Sequence, residues 1–459
     1  MNQTSRPVAA GLLTGMRAIV GAEHLLVESD QRASYCTDWT RLYSGECLAV
    51  VRPASVSEVS SLLSLLHEFQ QPVLVQGGNT SLVGGAVPGE SQAKPPVILS
   101  TLRLRQVDPV DQLTGQLTAQ SGALLSSVQQ AARAAGWMYG VDLAARDSAT
   151  IGGTIATNAG GTQVVAYGMT RSQILGIQAV LADGTVITHL TGLLKDNTGF
   201  DLGALLCGSE GTLAVITAVR LRLHRPHRRT SLAMVGCSSY DSALALMSKA
   251  RQSSELIAAE SIDSTGMDLA ASALGLASPL ARQWPVVAVI EVADGGDASG
   301  LPLTADHDAA IAMNPADQAR LWAYRERQAE AYASLGLVHK LDISVPLGLM
   351  QTVLAELGDL MAAEPKVTCF GFFGHLADGN VHVEFIGPGN ADLSLQDSIL
   401  ERVAAYGGSI SAEHGIGRLK TQYLHLSRSA PEIHVMRAIK DAWDPQGLLN
   451  PGVLFSDPA

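Results

Sequence analysis

Gln76-Gly77-Gly78-Asn79-Thr80-Ser81-Leu82-Val83-Gly84-Gly85-Ala86-Val87-Pro88 follows the short apolar run Val73-Leu74-Val75. Four glycines in residues 77–85 leave backbone N–H groups bare for a phosphate, and Asn79, Thr80 and Ser81 add donors. The loop is neither the G-x-G-x-x-G of a Rossmann unit nor a Walker loop with its Lys-Ser/Thr. Ser148-Ala149-Thr150-Ile151-Gly152-Gly153-Thr154-Ile155-Ala156-Thr157-Asn158-Ala159-Gly160-Gly161 has the same character, and Leu206-Cys207-Gly208-Ser209-Glu210-Gly211-Thr212-Leu213 makes a third small-residue turn. A single nucleotide would need one such loop. Three in one α+β segment predict a long, planar, phosphate-bearing ligand lying across it.

Working outward, residues 48–53 read as a strand, and Ser55 with Glu58 three positions on predicts a capping box opening a helix to about Phe69. Residues 1–45 form a helical lead-in, with Leu12, Met16, Ile19 and Val20 at helical spacing. Residues 175–190 alternate as two strands around Asp183-Gly184, and 214–223 form another strand. The basic, Pro-containing stretch 223–230 reads as a linker into a second α+β segment. There Asn314-Pro315 opens a helix that Gly336 stops, followed by a strand over 338–345, a helix over 346–363 and a helix over 393–407.

The second segment contains Phe370-Gly371-Phe372-Phe373-Gly374-His375-Leu376-Ala377-Asp378-Gly379-Asn380-Val381-His382-Val383-Glu384-Phe385. Asp378-Gly379 between apolar, β-favouring residues predicts a tight two-residue hairpin. That register sets His375 directly opposite His382, with Cβ atoms ~5 Å apart, close enough for both rings to hold one metal ion. Glu384 lies on the same face. A third ligand is still needed, and Ser411-Ala412-Glu413-His414-Gly415-Ile416-Gly417 offers one.

At 459 residues the chain predicts roughly two or three domains. With 43 acidic and 31 basic residues, net charge −12 argues against nucleic acid and against an anionic membrane surface. Five cysteines without Cys-x-x-Cys spacing predict reduced thiols rather than a disulfide framework or thiolate metal site. Residues 8–16 are too weakly apolar for a signal peptide, and no run approaches the ~20 apolar residues of a membrane span. A cytoplasmic protein is the expectation.

The three loops, with Lys195-Asp196-Asn197-Thr198-Gly199, the hairpin, Ser411 through Gly417 and Leu449-Asn450-Pro451-Gly452, closely resemble the FAD-dependent D-2-hydroxyglutarate and D-lactate dehydrogenase family. The resemblance runs from about residue 45 to the C-terminus. It implies an α+β chain: a vanillyl-alcohol-oxidase or PCMH-type FAD-binding domain over 46–225, an antiparallel α+β cap over 226–408 carrying the hairpin, and a segment over 409–459 returning to the flavin. It further implies non-covalent FAD. Gly77, Gly78, Asn79, Thr80, Gly84 and Gly85 would hold the pyrophosphate; Ser148, Ile151, Gly152, Gly153, Ala156, Thr157, Asn158, Gly160 and Gly161 would line the isoalloxazine. Glu210, Gly211, Ile216 and Asn450 complete the implied cofactor set. A Zn²⁺-type ion would be held by His375, His382 and Glu413, with His414 as general base and Arg325 and Lys340 on the substrate carboxylate. Expected partners are a small 2-hydroxy acid and an acceptor such as an electron-transfer flavoprotein, quinone or cytochrome; oligomeric state is open, a homodimer being one expectation.

Two positions depart from this branch, which typically has Thr where this chain has Ala329 and Asn where it has Glu384. Losing a hydroxyl donor and gaining a carboxylate disfavours a second substrate carboxylate, because like charges repel in a partly desolvated site. A substrate with a neutral or cationic tail is therefore expected rather than 2-hydroxyglutarate. A Glu384 salt-bridged to a neighbouring Arg, without effect on specificity, is the bland alternative. Competing functional readings are a flavin oxidase using O₂, a metal-dependent hydrolase and a non-catalytic flavin-binding protein.

Overall fold

The computed structural model describes residues 5–41, 43–89, 94–389 and 392–456. The chain divides into two compact units: residues 1–160, 169–226 and 413–459 form the first, and 161–168 with 227–412 form the second.

The first unit contains β1 (Leu25–Leu26), β2 (Ala49–Val51), β3 (Val73–Gln76) and β4 (Val97–Ser100), in the order β1-β2-β4-β3. β2 and β3 run parallel to β4, and β1 is antiparallel to β2. Parallel strands are covered on both faces and so read as unbroken apolar runs. Here Ala49, Val51, Val97 and Leu99 pack with Leu12 and Met16 of helix Ser5–Val20 and with Val59, Leu62, Leu63 and Leu66 of helix Val56–Glu68, while Val50, Leu74 and Ile98 bury on the other side with Cys47. The Ser55 hydroxyl caps Glu58 N–H at 3.1 Å, but the Glu58 carboxylate accepts from Ala54 N–H (2.8 Å), so the predicted box closes one residue early. β1 was not expected in the lead-in, because two residues are too short to show a period.

A second sheet, β5 (Gln116–Gln120), β6 (Ile174–Val180), β7 (Val186–His189) and β8 (Val215–Arg222), is antiparallel in the order β5-β8-β6-β7. β6 and β7 join through Asp183-Gly184 as expected. The C-terminal segment is tied to β3: Val73 N–H donates to Leu448 O and Asn450 N–H to Val73 O, both 2.8 Å. Lys440, on helix Ala430–Trp443, donates to Thr212 O (2.7 Å) and Leu449 O (3.0 Å) and pairs with Asp444.

The second unit is built on β9 (Ser231–Cys237), β10 (Glu255–Asp263), β11 (Val286–Ala293), β12 (Ala309–Ala312), β13 (Val338–Ser344), β14 (Cys369–His375) and β15 (Asn380–Ile386). Their order is β12-β9-β11-β10-β14-β15-β13, every pairing antiparallel. Helices Ser264–Leu274 and Pro315–Glu326 bury Met267, Ala270, Leu321 and Tyr324 against the face bearing Ile262 and Val289. Helix Met350–Ala363 packs on the opposite face, where Gly358 lies against Phe370 and Phe372.

Two expectations here are corrected. The helix opened by Asn314-Pro315 does not run to Gly336; it breaks at Arg327 (φ −86°, ψ 0°) and resumes as Gln328–Ala333. Buried Gln328 secures the break by donating to Gly266 O (3.1 Å) and Tyr324 O (2.7 Å). Ala329 therefore sits on a separate helix from Arg325. The hairpin loop has four residues, 376–379, so His375 pairs with Asn380 and His382 with Phe373. Only Gly379 takes positive φ (+83°), whereas a two-residue type I′ turn requires it at both centres.

Candidate active site

In the first unit the three Gly-rich loops converge. A Cβ on Gly78 would fall 1.9 Å from Ser148 O, so the first and second loops meet backbone to backbone. The third joins the second through Gly208 N–H to Ile155 O (3.0 Å) and Glu210 N–H to Ala156 O (2.8 Å). Thr150 caps the short helix Ile151–Ala156 through Gly153 N–H. The Asn79 amide donates to Thr37 O (2.9 Å), while its Oδ1 and the Ser209 hydroxyl are buried without a hydrogen-bond partner. Buried polar atoms normally have partners. A cradle of close-set backbone with the Ser209 hydroxyl left to donate fits a pyrophosphate-bearing cofactor.

Gly78→Ala should therefore force the first two loops apart, and overpacking of this kind costs about 1–3 kcal/mol, enough to weaken cofactor binding roughly tenfold or more. Visible flavin absorbance per chain, read beside the thermal midpoint, checks it; full flavin loading would show that the cradle tolerates separation.

Several of the cofactor candidates make bonds within the chain. The Glu210 carboxylate accepts from Ile416 N–H (2.8 Å) and Gly417 N–H (2.7 Å), which makes it a tether for the C-terminal segment. Burial pushes its pKa up, and those amides oppose the shift. The Asn450 side chain accepts from Val75 N–H (2.8 Å) and donates to Glu210 O (2.7 Å), so its amide is spent on the chain. Asn158 accepts from Arg171 N–H, and Ile216 is buried in β8. The Thr157 hydroxyl donates to Gly153 O. Gly160 ends the first unit's share of the second loop, and Gly161 opens the excursion 161–168 that belongs to the second unit.

In the second unit the chemistry gathers on one face of four adjacent strands. Residues opposite each other in a ladder share a face. The register sets Glu260 beside His375 and Asn380, Phe373 beside His382 and Asp342, and Gly371 beside Glu384 and Lys340. The two imidazoles remain neighbours despite the shifted register, diagonally related with ring centroids 5.7 Å apart. Each has a carboxylate at hand. His375 Nδ1 donates to Glu260 Oε1 (2.7 Å), and His382 Nδ1 lies 3.8 Å from Asp342 Oδ1. Asp342 is itself fixed by Asn380 Nδ2 (2.8 Å) and Ala412 N–H (3.1 Å). Imidazoles backed by carboxylates are what a borderline cation such as Zn²⁺ takes, so this pair fits a metal.

Arg325, at the last turn of helix Pro315–Glu326, reaches the same face: Nε donates to Glu260 Oε2 at 2.7 Å and the guanidinium lies 4.9 Å from the Phe373 ring centroid. Lys340 is paired with Glu384 across β13–β15, Nζ to Oε1 3.7 Å. Glu384 is 3% exposed, its Oε2 has no hydrogen-bond partner, and burial raises its pKa against the pull of Lys340 and Arg325. Ala329 is half-buried on the following helix. Glu413 and His414 begin the C-terminal return, directly after Ala412. Glu260 and Asp342 were not anticipated. Their signal was a lone carboxylate inside an apolar strand, Ala258-Ala259-Glu260-Ser261-Ile262 and Leu341-Asp342-Ile343.

Residues 47–189 match the FAD binding domain family and 226–454 the C-terminal domain of FAD linked oxidases. Among solved structures, p-cresol methylhydroxylase shares the fold at TM-score 0.76 and 15% identity, covering 100% of this chain and 98% of its own, and alkyldihydroxyacetonephosphate synthase at 0.76 and 16%, covering 96% and 84%. Fold and matched domains together define an FAD-linked flavoprotein of PCMH type. D-2-hydroxyglutarate dehydrogenase of Bos taurus, mitochondrial, is 36% identical over 90% of this chain and 78% of its own length. The D-2-hydroxyglutarate dehydrogenase of Xanthomonas citri pv. viticola is 34% identical over 96% of both chains. The chain belongs to the FAD-dependent D-2-hydroxyacid dehydrogenase family, that of the D-2-hydroxyglutarate and D-lactate dehydrogenases. Among the described residues, no helix is long and apolar enough to cross a membrane.

Proposed function

We propose that this chain is a metal-assisted dehydrogenase that oxidises a D-2-hydroxy acid with a neutral or cationic tail to the 2-oxo acid. The observation that carries the reading is the sheet face bearing His375, His382, Arg325 and the Lys340–Glu384 pair. Bound FAD supplies an acceptor for two electrons and the Cα hydrogen, and a Zn²⁺-type ion supplies a Lewis acid for the hydroxyl. His375, His382 and Glu413 would hold the ion. Glu413 follows Ala412, whose N–H is fixed on Asp342, and Asp342 faces His382 in the ladder. His414 takes the hydroxyl proton as general base. Arg325 orients the substrate carboxylate, since a guanidinium whose Nε is already engaged still offers its terminal nitrogens as a fork.

The tail preference rests on Lys340. Its charge is offset inside the chain by Glu384, so a second substrate carboxylate would meet a carboxylate rather than an unopposed cation. Reoxidation by an electron-transfer flavoprotein, quinone or cytochrome belongs to the same reading. The test is anaerobic bleaching of the flavin by D- and L-2-hydroxy acids with neutral, acidic and basic tails. Fast bleaching by D-acids with neutral or basic tails is expected; bleaching led by 2-hydroxyglutarate would overturn the tail assignment, and none by any 2-hydroxy acid the whole reading. Rapid peroxide formation on admitting air would mark an oxidase instead.

A further inference from the structure

Glu260 is the single charged residue among 256–262, and its carboxylate is fully buried between two donors. Oε1 accepts from His375 Nδ1 and Oε2 from Arg325 Nε, both at 2.7 Å. We propose that Glu260 is a positioning residue whose one carboxylate sets both the metal ligand His375 and the substrate anchor Arg325, so that the two binding events are coupled through it. This rests on the metal-assisted reading above.

A carboxylate is acceptor-only, so its partner nitrogen on His375 must carry the proton. That fixes the ring's lone pair on Nε2, the nitrogen a metal would take, and holds the ring plane. A carboxylate behind a ligating histidine also raises its basicity, and removing such a partner typically costs 10- to 100-fold in metal affinity. The other oxygen works on Arg325. Guanidinium and carboxylate are desolvated together, and the cation lies 4.9 Å from the Phe373 ring centroid, so Arg325 is held by two partners. Breaking such a pair leaves an uncompensated buried charge. The strand register explains why one residue does both: Glu260 is the ladder partner of His375, and Ile262, two residues on, is the partner of Phe373 beneath Arg325.

Glu260→Gln separates this arrangement from simple packing. The amide has nearly the same shape but one acceptor oxygen and an NH₂ group, so it can serve His375 or Arg325 and must present N–H to N–H at the other. Zn²⁺ affinity is measured by competition with a chromophoric chelator on flavin-loaded enzyme. Binding of an unreactive 2-oxo acid is followed separately, in chelator-treated enzyme, by flavin absorbance. Glu260→Gln is expected to weaken Zn²⁺ roughly 10- to 100-fold, and to weaken the 2-oxo acid several-fold even without metal, at unchanged flavin content. Arg325→Met, which leaves the whole Glu260 charge to His375, is expected to tighten Zn²⁺ severalfold although Arg325 is no ligand, and it decides the matter should the first variant fail to load flavin. Wild-type Zn²⁺ affinity in Arg325→Met, or in a flavin-loaded Glu260→Gln, would overturn the coupling. Failure of the wild-type enzyme itself to bind Zn²⁺ would instead overturn the metal reading, and this inference with it.

Discussion

The His375→Ala enzyme is expected to purify yellow, to hold no metal above background and to turn over its D-2-hydroxy acid roughly a thousandfold more slowly. The size follows from the chemistry. Lewis-acid stabilisation of a developing alkoxide is worth several kcal/mol, and each 1.36 kcal/mol is about tenfold in rate. Flavin should survive because the close-set backbone of Gly78, Ser148 and the helix Ile151–Ala156 lies in the first unit, whereas His375 belongs to β14 of the second. The substitution also takes a hydrogen-bond donor from buried Glu260, so a lowered thermal midpoint is expected alongside. Metal analysis, visible absorbance and turnover on one preparation check it. Normal turnover in metal-free protein would remove the ion from the mechanism.

The second large effect is on substrate choice. Glu384→Asn should raise kcat/KM for a 2-hydroxy acid with a carboxylate tail, relative to one with a neutral tail, by about 10- to 100-fold. Two unit charges about 4 Å apart interact by roughly 1 kcal/mol in water and about 4 at an effective dielectric constant of 20, so removing one carboxylate from this face is worth that order. It also releases Lys340, now 3.7 Å from Glu384. The same argument fixes a pH dependence in the wild-type enzyme. Burial raises the Glu384 pKa above its ordinary value of 4.5, with Lys340 opposing. As pH falls through that raised value Glu384 becomes neutral and Lys340 is left to an anionic tail, so the acidic-to-neutral substrate ratio should climb with falling pH. Taking a ratio cancels any ionisation that acts on both substrates alike. A flat ratio in the wild-type enzyme together with an unchanged ratio in Glu384→Asn would make Glu384 a structural partner of Lys340 without a role in specificity.

Much of this was legible in the residues. The Gly-rich loops, the apolar strands before them and the Asp183-Gly184 hairpin are local patterns, and local sterics enforce them. The histidine pair was also found, but by a register the turn does not adopt. A four-residue loop shifts His375 onto Asn380, and the two rings stay together only because a shift of two residues returns the same face. The helix break at Arg327 had no local signal; it depends on Gln328 bonding to Gly266, 62 positions away in sequence.

Side-chain partners are less legible than positions. The side chains of Glu210 and Asn450, both cofactor candidates, also hold backbone of the C-terminal segment, β3 and the third loop, partners that only the fold brings near. Glu384 was read as a specificity residue, and its pairing with Lys340 needed the β13–β15 ladder to be seen. The sequence by itself determined the flavoprotein class, the Gly-rich loops and the sharing of one sheet face by His375 and His382, because glycine spacing, strand alternation and turn chemistry act within a few residues. Only the tertiary structure decided which charge answers which. Glu260 between His375 and Arg325, and Glu384 against Lys340, are pairs made across strands and helices far apart in the chain. Desolvation, which makes each of those pairs matter, exists only once the sheet is covered.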